Sequence, residues 1–126
     1  MPRYDDLRAN ARFARLKPLA VAELGKLRSG HPTMPDDYED FLRELGAGQV
    51  GSASFMIYDG LVDPDTVFGS RGAEIRRLLL FGDDFQGYSA GFDPDRNWSV
   101  VEVDPTNDSV DIVAPTFEEF VRKRLA

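Results

Sequence analysis

Two adjacent acids, Asp83 and Asp84, follow an apolar run in the stretch LLLFGDDFQGYSAGFD, residues 78–93, which carries three glycines within ten positions. Carboxylates beside glycine can hold a cation or polarise a water, because glycine lets backbone approach a ligand closely. With Asp93 they would make a three-carboxylate Mg²⁺ set, but neighbouring side chains on a strand end point apart. The same letters spell strand, turn, strand, since Gly and Asp tolerate turn dihedrals. Asp93, Asp95 and Asn97 begin a calcium-loop pattern. That pattern fails where it needs Gly, which is Trp98, and where it needs a bidentate Glu, which is Asp104. A hairpin turn accounts for the same residues.

Gly46, Gly48 and Gly51 match G-x-G-x-x-G, yet they follow a helical pattern and precede a strand pattern. A dinucleotide site needs the reverse order, with a helix N-terminus aimed at the pyrophosphate. A helix-stop turn is the simpler reading. His31 is the single histidine and there is no cysteine, so Ser-His-Asp, Cys-His, two-histidine and thiolate sites cannot be assembled. With 22 acids in the chain, carboxylate pairs arise by chance and carry no signal of acid–base catalysis.

The elements that must position these residues are legible in outline. Tyr4 to Leu16 reads as a helix, followed by a second from Pro18 to Leu27 closed by Gly30. The clearest helix is TMPDDYEDFLRELGAG: Thr33 and Asp36 have capping-box spacing, and Tyr38, Phe41, Leu42 and Leu45 share a face. SASFMIYDG alternates as a strand, and Asp63-Pro64 opens a short helical turn. Ile75 to Phe81 becomes a strand by Leu79. Tyr88–Phe92, Trp98–Val103 and Val110–Val113 then form a meander joined by DPDRN and DPTNDS, whose Asp-Pro and Asn-Asp chemistry marks reversals. PTFEEFVRKRLA makes a final helix with Thr116 and Glu119 at capping-box spacing. The expected fold class is α+β: one domain, a mixed, mostly antiparallel sheet flanked by N-terminal helices and a C-terminal helix. Residues 1–17 read as a basic helical extension and 18–126 as the domain proper.

The 126 residues suit one core, and 42% hydrophobic and 29% charged content are those of a globular protein. No apolar run approaches the ~20 residues of a membrane span. The N-terminus lacks the apolar block and cleavage site of a secretory signal, and with no cysteine a cytoplasmic location is expected. Charge is uneven: residues 1–28 carry a net +4 and residues 29–126 a net −11. From Leu78 to Val121 ten acids face one base, Arg96. Such a surface repels phosphate backbones and attracts a basic protein, so nucleic acid is excluded as a partner class.

Three segments in order resemble the SUKH superfamily of Smi/Knr-like domains. MPDDYEDFLRELGAGQVG is similar to the family's LP-x-D-Y-x-x-F-L … G-x-G opening, and LLLFGDDFQGYSAGFD to its I-F-G-D-x-x-x-G-x-x-x-x-F-D centre. VDIVAPTFEEFVRKRL is similar to its closing A-x-S-F-E-E-F helix, so the resemblance spans roughly residues 18–125. It implies a non-enzymatic α+β domain with a mixed sheet, of a group whose bacterial members are immunity proteins that bind toxins and whose fungal relatives resemble signalling hubs; from the residues themselves no cofactor and no metal are expected. The leading expectation is therefore an inhibitor of a basic, nuclease-like toxin domain. Asp83, Asp84, Asp93, Asp95, Asp104 and Asp108, all in or beside loops of the meander, are the candidate contacts. An adaptor role and a carboxylate-based metal-dependent enzyme are the alternatives.

Overall fold

In a computed structural model, which describes residues 2–69 and 72–126, the chain forms a six-stranded sheet in the order β1-β2-β3-β4-β5-β6. The strands are β1 (Gly48–Val50), β2 (Phe55–Val62), β3 (Leu79–Asp83), β4 (Ser89–Asp93), β5 (Ser99–Asp104) and β6 (Ser109–Ala114). All five neighbouring pairs are antiparallel, so the sheet is a pure meander with no parallel component. Each strand follows its neighbour through a hairpin except at β2–β3. That connection holds α3 (Pro64–Phe68) and α4 (Ala73–Arg76).

Helices α1 (Val21–Gly30), α2 (Asp36–Glu44) and α5 (Phe117–Phe120) cover one face. Helix α2 buries Tyr38, Phe41 and Leu42 because they recur every three or four residues. Phe117 is fully buried and meets Tyr38, Phe41, Phe81 and Phe92 with ring centroids 5.0–5.9 Å apart. These contacts join α2, α5 and the sheet centre into the main core. Thr116 caps α5 as its spacing predicts, its hydroxyl accepting from the Glu119 N–H at 3.2 Å. The last turn, Val121–Leu125, is π-helical and keeps Val121 and Leu125 buried.

The structure departs from the sequence reading at three places. Tyr4 to Leu16 is not a helix but two 3₁₀ turns, Asp5–Leu7 and Ala11–Phe13, which bury Tyr4, Leu7, Phe13 and Leu16 in the main core. Their apolar spacing serves an irregular strap rather than a helical face. The Thr33–Asp36 box does not form, because α2 starts one residue after Pro35 and has no side-chain cap. Arg28 of α1 organises that start instead, donating to the Met34 carbonyl at 2.6 Å and to Glu39 and Asp36 at 2.7 and 3.0 Å. Finally, the far face of the sheet has its own small core, in which Ile75 and Leu78 pack on Leu80, Val101 and Val103.

Gly46 stops α2 as the sequence predicts, its N–H donating to the Phe41 carbonyl at 2.8 Å, while Gly48 and Gly51 lie along β1 and the turn after it. A side chain on Gly46, whose φ is 106°, would collide with the Lys17–Pro18 backbone. The strap therefore lies flat on β1: the Lys17 and Ala47 N–H groups donate to each other's carbonyls at 3.0 and 3.1 Å, and Gly51 N–H donates to the Arg12 carbonyl at 2.7 Å. The basic N-terminus is also consumed internally. Arg3 bridges Asp40 and Glu118, both at 3.0 Å, and Arg122 bridges Asp6 and Glu118 at 2.8 and 2.9 Å.

Candidate functional site: the carboxylate-bearing hairpin end

Because the strands alternate in direction, the β1–β2, β3–β4 and β5–β6 turns lie together at one end of the sheet. Asp83 ends β3 and Asp104 ends β5, and the β4 backbone between them brings both acids to that end with Asp84 and Asp108. Asp93 and Asp95 lie at the other end, roughly 13 Å away along the five residues of β4. The six candidate carboxylates thus form two separate groups.

At the hairpin end the β3–β4 and β5–β6 turns are each built by aspartates accepting from nearby backbone. Asp83 accepts from the Phe85 N–H at 2.9 Å and from the Tyr58 hydroxyl at 2.6 Å. Asp84 accepts from the Gln86 and Tyr88 N–H groups at 2.8 and 3.1 Å. Asp104 accepts from the Thr106 N–H at 2.9 Å and from the Tyr88 hydroxyl at 3.1 Å. The hydrogen bond to Asp104, with its negative charge, holds the Tyr88 phenol above its ordinary pKa; burial and then Asp83 do the same to Tyr58. Such Asx-type turns fix the carboxylates in place while leaving lone pairs toward solvent.

Phe85 and Tyr88 stand 46% and 45% exposed among these acids, Phe85 with a left-handed φ of 63°. Sequence reasoning passed over both aromatics; the signal available was a large apolar residue at a turn tip, where polar residues are the rule. A recess of about 120 Å³ lies under this end between Arg12, Phe55, Asp84, Glu102 and Arg124. Its volume is below the roughly 300 Å³ of ordinary ligand pockets.

The opposite end does not present a free carboxylate at Asp93. That side chain is 1% exposed and receives Arg77 through Nε at 3.2 Å and Nη2 at 2.9 Å, with Arg96 at 3.4 Å. Asp93 is thus an internal anchor with little surface of its own to offer a partner. Asp95 is exposed, 3.8 Å from Arg77. Asp93 also accepts from the Asp95 N–H at 3.1 Å, and Asn97 and Trp98 both take φ of 57°, closing the β4–β5 hairpin. His31 is the cap residue after α1, its N–H donating to the Leu27 carbonyl at 3.0 Å. Among the described residues no group of three or more His, Cys, Asp or Glu side chains could hold a metal ion, and no helix is long and apolar enough to cross a membrane.

The chain is thus a helix-backed antiparallel meander, an α+β scaffold that presents a carboxylate-bearing set of loops at one end of its sheet. The chain belongs to the SUKH group of the SMI1-KNR4 cell-wall family, whose model matches residues 32–121. No curated protein and no solved structure matches it.

Proposed function

We propose that the protein is a non-enzymatic interaction domain acting in the cytoplasm as an immunity protein, and that it blocks a basic toxin domain with its hairpin end. The observation that carries this reading is the joint placement of Asp83, Asp84 and Asp104 around Phe85 and Tyr88. The carboxylates are held rigid by their turns and the two aromatics are half exposed. Fixed negative charge steers a basic partner and speeds its encounter, while exposed aromatics supply contact area once it docks. The carboxylates are already engaged by N–H and phenol donors, an arrangement suited to presenting charge rather than to moving protons.

The test is co-expression with the toxin domain encoded beside it, combined with sedimentation of the purified pair. Protection together with a one-to-one complex supports the reading. A neighbouring frame that encodes no toxin domain, or a toxin that neither binds nor is neutralised, refutes it. The outcome also separates immunity from an adaptor role, in which the protein would bind a host protein without protecting cells.

A further inference from the structure

The two edges of the sheet are treated differently. The β1 edge is covered by the N-terminal strap through the Lys17–Ala47 and Arg12–Gly51 backbone hydrogen bonds. Strand β6 ends the sheet on the other side, and among the described residues nothing pairs with its outer backbone. An extra residue at Val113 bends the strand near its end, which leaves Ser109–Ile112 as a straight, open stretch. An unpaired row of N–H and C=O groups is a template for another strand unless it is blunted.

The side chains of this stretch specify what would fit. Val110 and Ile112 point to the face that carries Val101 and Val103, where Ile112 is 53% exposed. They border a shallow groove of about 260 Å³ whose remaining lining is mostly charged: Glu74, Arg77, Asp93, Arg96 and the Asp111 edge, with Val101. Asp111 points to the other face, directly opposite Glu102 on β5. Like charges in that position repel. Glu102 is neutralised by Arg124 at 2.9 Å, whereas Asp111 has no cation partner among the described residues. A second copy is a poor occupant, since the two-fold register that sets Val110 against Ile112 of the other copy also sets Asp111 against Asp111.

We propose that β6 is a strand-addition site for an extended segment of another protein whose residues opposite Val110, Asp111 and Ile112 are apolar, basic and apolar. Main-chain hydrogen bonds would supply the attachment, Val110 and the exposed Ile112 would meet the apolar side chains, and the basic residue would neutralise Asp111. This inference goes beyond the hairpin-end reading and does not depend on it, because it rests on the β6 backbone and on Asp111.

The probes are two synthetic peptides, acetyl-Thr-Val-Lys-Val-Thr-amide and the same peptide with Glu in place of Lys, titrated into the full chain and followed by backbone amide shifts. The expected result is perturbation centred on residues 109–112, with the Lys peptide binding about fivefold to tenfold more tightly. Asp111→Lys, an exposed substitution, should reverse that order, and methylating the peptide's alternate backbone nitrogens should abolish binding. Equal affinity for the two peptides, perturbation elsewhere, or no binding by either overturns the proposal. So does a peptide-free dimer in sedimentation whose β6 amides are protected from exchange.

Discussion

Arg77 holds the buried carboxylate of Asp93 in a two-pronged pair, Nε to Oδ1 at 3.2 Å and Nη2 to Oδ2 at 2.9 Å, and so ties the residue after α4 to the end of β4. Burial alone would raise the Asp93 pKa, but the Arg77 hydrogen bonds, the Asp95 N–H and the positive charges of Arg77 and Arg96 outweigh it and leave the pKa lowered. Removing Arg77 strands a buried charge, so Arg77→Ala should cost about 2–4 kcal/mol in urea unfolding at neutral pH. Arg96 at 3.4 Å offsets part of the loss.

The same pair sets a pH dependence. A lowered folded-state pKa means that the stabilisation is fully present above the unfolded value of about 3.9 and is lost as pH falls through the folded value. Asp6, Asp40 and Glu118 are lowered too and act in the same direction. Stability measured by urea melts should therefore be level at mildly acidic pH and drop below about pH 4. Asp93→Asn should start lower and fall less steeply; a variant that parallels the wild type through that window would remove Asp93 from the account.

Much of this fold was legible because periodicity reports burial. The faces of α2 and α5, the strands after Leu79 and the Thr116 cap all follow from spacing. What sequence could not show were relationships set by distant backbone. Gly46 reads as a helix stop, which it is, but its second role under the Lys17–Pro18 chain has no local sign. Asp93 has the same local sequence signs as Asp104, and only the position of Arg77, sixteen residues earlier, separates a buried anchor from a surface acid. The two-group split of the carboxylates follows from the meander, which was expected, but reading it requires knowing at which end each turn falls. Tyr58 could not be joined to Asp83 without the β2–β3 register.

The strap predicts a stability effect at a residue with no side chain. Gly46→Ala would place a methyl group into the Lys17 carbonyl and the Pro18 nitrogen, at a left-handed φ of 106°. Backbone atoms cannot rotate aside as a side chain can, so a loss of at least about 2 kcal/mol is expected in thermal or urea melts. Gly25, where nothing lies within 4 Å of an added Cβ, is the control: Gly25→Ala in the middle of α1 should be stabilising by about 0.5–1 kcal/mol.

Core and surface mutations should separate folding from binding. Phe41→Ala and Phe117→Ala remove fully buried rings that contact each other at 5.3 Å, so each should cost about 3–5 kcal/mol and abolish protection by unfolding the protein. The pair should be non-additive, because the two rings share one cavity. Melting curves that leave either variant as stable as the wild type would place the core elsewhere.

The hairpin-end carboxylates are predicted to behave in the opposite way. In Asp83→Asn/Asp84→Asn/Asp104→Asn each amide keeps an oxygen able to accept from Phe85, Gln86, Tyr88 and Thr106, so the turns survive and stability should stay within about 1 kcal/mol of wild type. What changes is three formal charges on one rigid end. Association with a basic toxin domain should slow about tenfold or more at low salt, while dissociation changes less, and the dependence of the rate on ionic strength should flatten. Asp95→Asn, at the far end of β4, should leave the rate near wild type and serves as the positional control. Stopped-flow association at two salt concentrations reads both effects. A triple variant with the wild-type rate and salt slope would show that the hairpin end is not the binding face.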